Sequence, residues 1–174
     1  GGALSTNDDD FAKIVRKLSL HGMSKSGWNR YSYGGEWKYD VSELGYKYNM
    51  TDISASLGLN QLNQITQWQS RRLEIVKFYK KGLKNINGII TPSIPVLGVH
   101  AWHLYIIKIK TGKWKIGRDA IINKLNDRGI GTSVHYLPVH MHSYYPKKYG
   151  WKPKDFPRAY ESSKKVISLP IYPL

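Results

Sequence analysis

An α/β fold is predicted by three features of this sequence. Past Pro92 and Pro95 the chain alternates strand-like and helix-like segments, the pattern of a small mixed lobe. Ahead of them a helical periodicity opens at Thr51-Asp52-Ile53 and runs for about eight turns. At the start, Gly1-Gly2-Ala3-Leu4-Ser5-Thr6 reads as a glycine turn and a very short strand, which makes sense only within a sheet whose other strands lie elsewhere.

Taken in order, Asn7 or one of Asp8-Asp9-Asp10 is expected to cap a first helix carrying Phe11, Ile14, Val15 and Leu18 on one face. The carboxylates then sit at its positive end. From Ser19 to Gly45 the pattern dissolves into Gly, Ser, Tyr and Trp, with His21-Gly22-Met23 and Trp28-Asn29-Arg30-Tyr31 embedded. A loop that long within a compact domain is usually functional or mobile. Thr51 is the expected N-cap of the long helix, whose apolar residues Ile53, Leu57, Leu62, Ile65, Leu73, Val76, Tyr79 and Leu83 keep roughly one face. Such a helix outruns one small domain, so it bridges two lobes or lies along a subunit interface; a plain core helix is the simpler reading. A strand over 103–109, a helix over 118–125 closed by Gly129, a second strand over 131–136 and a last helix around 158–166 complete the lobe.

Composition narrows the function. The 174 residues are 41% hydrophobic and 22% charged, enough for one domain or two small lobes, and neither repeats nor low-complexity tracts occur. There is no cysteine, which removes thiolate nucleophiles, disulfides and Cys-based metal sites. No apolar run approaches the ~20 residues that span a bilayer, and the N-terminus lacks a basic-then-apolar export signal, so a cytoplasmic protein off the membrane is expected. A net charge of +15 and 13 Tyr with 6 Trp suggest an anionic partner, nucleic acid or a phosphorylated small molecule. The cations are nevertheless scattered in pairs such as Arg71-Arg72, Lys80-Lys81, Lys147-Lys148 and Lys164-Lys165, and 20 of the 27 are Lys. Arg is the residue that reads bases and phosphates bidentately, so most of the excess reads as a solvated surface. His135, His140 and His142 invite a metal, but no Asp or Glu lies between residues 128 and 154, so no metal site is expected.

Several separated motifs then agree in order and spacing. Gly1-Gly2-Ala3-Leu4-Ser5-Thr6-Asn7, His21-Gly22-Met23, the segment from Gly45-Tyr46-Lys47-Tyr48-Asn49-Met50-Thr51-Asp52 through Gly58-Leu59, Arg71-Arg72, Trp102-His103-Leu104-Tyr105, Arg128-Gly129-Ile130-Gly131-Thr132-Ser133-Val134-His135-Tyr136 and Ser168-Leu169-Pro170-Ile171-Tyr172-Pro173 resemble the DegT/DnrJ/EryC1/StrS family. The family comprises pyridoxal-phosphate (PLP)-dependent aminotransferases of nucleotide-linked keto-sugars. The resemblance implies the C-terminal part of a fold-type-I transferase. Residues 1–88 would be the end of the large PLP-binding domain with the long helix, and 89–174 a small α/β domain truncated before the final helix.

The resemblance also implies what this stretch does and does not carry. The lysine that holds the cofactor covalently would precede Gly1, as would the partner of the pyridine nitrogen, so no catalytic residue is expected here and the 174 residues alone are expected to be inactive. The loop Gly45-Tyr46-Lys47-Tyr48-Asn49 would reach the neighbouring subunit of a homodimer, with Lys47 and Asn49 as candidates for the cofactor phosphate and Tyr46 for the substrate. Many members have Asn at the position of Lys47 and Arg at that of Asn49, so which of the two meets the phosphate stays open, as does a role for Asn49 in shaping the turn alone. His135 and Tyr136 would face the substrate's sugar or diphosphate; a packed strand histidine is the alternative for His135. Trp28 and Arg30 would cover the nucleotide, and His103 would be structural. The implied reaction moves an amino group, with glutamate as donor, onto a nucleotide-diphosphate keto-sugar in surface polysaccharide, glycan or antibiotic-sugar biosynthesis. A basic nucleic-acid-binding module is the competing reading, and a non-catalytic carbohydrate- or partner-binding lobe a third.

Overall fold

The computed structural model describes residues 2–23, 39–110 and 112–173, and contacts divide the chain into two units, 1–63 and 64–174. In the first unit, helix α1 spans Asp9–Ser19. Its N-cap is Asp8, whose carboxylate accepts from the amides of Asp10 and Phe11, both at 3.0 Å. Behind α1 the chain turns through His21 (φ 60°) and Gly22 (φ 71°), and residues 46–48 run back beside it. Three backbone bonds define this ribbon: Tyr46 N to Leu18 O (2.7 Å), Tyr48 N to Ser19 O (2.8 Å) and His21 N to Tyr46 O (2.8 Å). The expected strand at residues 2–6 does not form, because a strand needs a ladder partner and none of the described residues pairs with it.

Helix α2 spans Asp52–Leu83, 32 residues. Thr51 caps it as the sequence predicts: its Oγ1 accepts from Ser54 N at 3.3 Å, and its carbonyl takes the first helical bond, from Ala55 N at 2.8 Å.

The second unit is built on a three-stranded antiparallel sheet in the order β1-β2-β3, with β1 at Ile89–Ile90, β2 at Tyr105–Ile109 and β3 at Val166–Leu169. Ile89 pairs with Ile109, and Ile107 with Ile167. On β2 the side chains alternate: Tyr105, Ile107 and Ile109 are buried while Lys108 is exposed. These three join Val76, Trp102 and Ile167 in one core, flanked by Tyr79 and Leu83 of α2 and by Ile121 and Ile122 of α3 (Arg118–Asn126). Gly129 (φ 74°) ends α3 as predicted, with its amide on Asn126 O and that of Ile130 on Leu125 O, both at 2.9 Å. Helices α4 (Tyr144–Tyr149) and α5 (Pro157–Ser163) follow.

Three sequence expectations are corrected here. The strand over 103–109 begins at Tyr105, because its ladder partner ends there: Tyr105 pairs with Leu169, the last residue of β3, and Pro170 beyond it has no N–H to donate. The strand over 131–136 reduces to a single bridge, Ser133 with Ser168, since the next link to β3 comes from the His135 side chain rather than the backbone. The last helix stops at Ser163, and Val166 opens β3 instead, where β-branched Val166 and Ile167 are buried against β2.

Candidate functional site

In the first unit the site elements lie on the returning ribbon. Lys47 forms an antiparallel bridge with Leu20, so residues 46–48 are held by their backbone and their side chains are left outside. Tyr46 and Tyr48 stack on one another at 4.9 Å with planes 7° apart, and both are more than half exposed. Lys47 falls between them in the alternation, on the opposite face. Neither Lys47 nor Asn49 has a side-chain partner among the described residues, and both are exposed. Two glycines fix where this ribbon sits. A Cβ on Gly45 would overlap the backbone of Gly22 and His21, and one on Gly22 would overlap the carbonyl of Glu43, besides the strain of its positive φ. Lys17 adds an ion pair to Glu43 at 2.9 Å, tying the loop to α1 a second time.

In the second unit His135 is half-buried, and its Nδ1 lies 2.7 Å from Oγ of the buried Ser168 on β3. The bond fixes the ring whichever atom carries the proton. When Ser168 donates, Nε2 carries the hydrogen and faces outward as a donor; when Nδ1 donates, Nε2 is an acceptor. Tyr136, 71% exposed, lies edge-on to the His135 ring at 4.6 Å. Sequence reading missed Ser168 as the anchor of His135; the only signal was a hydroxyl in an otherwise apolar strand, Val166-Ile167-Ser168-Leu169.

His140 and His142 are held in different ways, and the buried Nε2 of His140 has no hydrogen-bond partner among the described residues. His140 is buried and stacks on Phe156 at 4.8 Å, while His142 Nε2 meets the carbonyl of Leu137 at 3.2 Å. No group of three His, Cys, Asp or Glu side chains placed to hold a metal exists among the described residues. His103 is exposed, between Trp102 and β2. Trp28 and Arg30 lie outside the described residues. No described helix is long and apolar enough to cross a membrane.

This arrangement offers a free ammonium and an amide on a braced loop, and an imidazole held from behind. The first pair suits an anionic group, since Lys binds phosphate as a point charge and Asn donates through its amide. The residues present therefore fit the phosphate of a PLP cofactor.

Comparison with known proteins gives these residues a context. The model of the DegT/DnrJ/EryC1/StrS aminotransferase family matches residues 1–174. The spore coat polysaccharide biosynthesis protein SpsC of Bacillus subtilis (strain 168) is 48% identical over 174 residues, covering 99% of this chain and 45% of that protein. Among solved structures, Spr1654 of Streptococcus pneumoniae, assigned as a sugar aminotransferase, superimposes in its PMP form with a TM-score of 0.78 at 33% identity, over 96% of this chain and 41% of that one. Its PLP form gives 0.77 at 32% identity, over 96% and 40%. The chain thus spans less than half the length of the proteins it matches.

Proposed function

The chain belongs to the DegT/DnrJ/EryC1/StrS aminotransferase family, and from that premise we propose that it forms the C-terminal portion of a PLP-dependent aminotransferase acting on a nucleotide-diphosphate keto-sugar. The match of the family model to all 174 residues carries this reading. Residues 1–88 belong to the large cofactor-binding domain of a fold-type-I protein and 89–174 to its small domain. The protein works as a cytoplasmic homodimer with glutamate as donor, and its product feeds polysaccharide or glycan synthesis, as the name of the relative SpsC supports.

When bound, PLP supplies the electron sink that lets an amine and a ketone exchange. This chain's part is binding and orientation. Lys47 and Asn49 meet the cofactor phosphate of the partner subunit, and the backbone bonds of Tyr46 and Tyr48 hold the loop beside the end of α1. His135 presents Nε2 to the sugar or diphosphate, with Ser168 holding the ring so that little rotamer freedom is lost on binding. Tyr136 lines the same approach.

In the intact protein, Lys47→Ala and Asn49→Ala are expected to weaken PLP binding by ~1–3 kcal/mol, the scale of a lost hydrogen bond to a charged group, measured by cofactor titration. His135→Ala raises KM for the nucleotide-sugar, and Ser168→Ala reproduces part of that rise. Unchanged cofactor affinity in both loop variants assigns Asn49 to turn formation and removes the loop from the site.

A further inference from the structure

A recess of about 430 Å³ in the second unit belongs to none of the residues assigned above. It is walled by Trp114 and by cations from two separate stretches: Lys110, Lys115 and Arg118 from the end of β2 to the start of α3, and Lys164 and Lys165 after α5. Among the described residues, the carboxylates that pair with them are Asp119, 2.6 Å from Arg118 Nε, and Glu161, which serves Lys164 at 3.2 Å and Lys165 at 3.4 Å. Five cations against two carboxylates leave three positive charges in excess. Neither Lys110 nor Lys115 has a carboxylate partner among the described residues.

Like charges gathered in one recess repel, so they are tolerated at little cost only where an anion or bulk salt sits among them. Three further details favour an anion. Arg118 lies largely within the structure, its Nη1 donating to Val166 O at 3.3 Å, and the nearby Asp119 oxygen is not aligned as an acceptor for its Nε–H. The nine-residue helix α3 opens at Gly117 with no side-chain cap, which leaves the first-turn amides of a positive helix end unsatisfied at the rim. Trp114 offers an apolar wall that a phosphate alone does not need and an organic group does.

We propose that this recess is a second anion-binding site, taking the diphosphate of a small organic molecule. The volume is in the range of small-molecule sites, ~300–1,000 Å³. A nucleic-acid strand fits the observations less well, because the cations surround one recess rather than following a track. The proposal stands apart from the aminotransferase reading and uses none of its residues.

The test is calorimetric titration of the intact protein with inorganic pyrophosphate and with a nucleoside diphosphate in 0.15 M salt. A double charge reversal, Lys110→Glu with Lys115→Glu, is expected to weaken both by tenfold or more while kcat/KM for the amino transfer stays within twofold. Reversing two exposed lysines elsewhere, Lys77→Glu with Lys84→Glu, is expected to change affinity by less than twofold. Tighter binding of the nucleoside diphosphate than of pyrophosphate, lost in Trp114→Ala, identifies the organic wall. Equal losses in the two double reversals, or no loss in either, overturn the proposal, as does binding confined to a single-stranded oligonucleotide and falling steeply with salt.

Discussion

The two units differ in what they bury. Among the described residues, the first buries one apolar side chain, Met23, and displays Leu44 (93% exposed), Ile53 (77%) and Leu57 (63%). The second closes Val76, Trp102, Tyr105, Ile107, Ile109 and Ile167 into one cluster. A surface that apolar on the first unit is the kind that other protein covers, whereas the second has a core of its own. The contrast bears on function as well: Lys47 and Asn49 ride on a ribbon held by backbone bonds, while His135 is anchored through its side chain to β3, an edge strand of a packed sheet.

The largest effect that would break the contrast is in the units taken separately. Residues 64–174 produced alone are expected to unfold in urea through one sigmoidal transition, and residues 1–63 alone to show a broad, uncooperative one. A broad transition from 64–174 would mean that its core depends on the rest of the chain. Point changes sharpen the comparison. Ile167→Ala removes a side chain with no exposure and should cost about 2–5 kcal/mol, whereas Leu57→Ala, on the exposed stretch of α2, should stay within about 0.5 kcal/mol in this chain. Equal costs would erase the distinction.

The smallest effect lies in the ring pair Tyr79 and Tyr105, 4.9 Å apart. Burial raises both hydroxyls above the ordinary tyrosine value of 10.0, and Tyr79 raises that of Tyr105 further. The folded state therefore holds these protons more tightly than the unfolded one. The associated stability is complete below pH 10 and is lost as pH rises through the raised values. Tyr79 donates to Pro170 O at 2.8 Å, but the buried hydroxyl of Tyr105 has no partner among the described residues. Tyr105→Phe is expected to raise stability by about 1 kcal/mol at pH 7 and to flatten the alkaline decline, read from urea midpoints between pH 7 and 11. A loss of stability at pH 7 would show that the hydroxyl is satisfied.

How much was legible follows from the range of each signal. The Thr51 cap and the Gly129 ending were readable because each lies within a few residues of what it satisfies. The Ser133 bridge was over-read as a strand, since alternating Thr132, Val134 and Tyr136 carries the period of a strand whether or not a ladder exists. Val166 was read as helix because two lysines extend the helical run, while its pairing with Lys108 lies 58 residues away. Ser168 beneath His135 and the meeting of Lys115 with Lys165 are likewise products of the folded chain, with no local pattern to betray them.

The crossing of Gly22 and Gly45 ties the motion of two distant stretches of chain together. Because the main chains meet with no side chain between them, α1 and the loop bearing Lys47 act as one lever rather than as a helix and a tether. The amides of His21, Tyr46 and Tyr48 should then exchange with deuterium at one common rate. An anion held by Lys47 would slow all three together, so its arrival is recorded at the end of a helix it never touches.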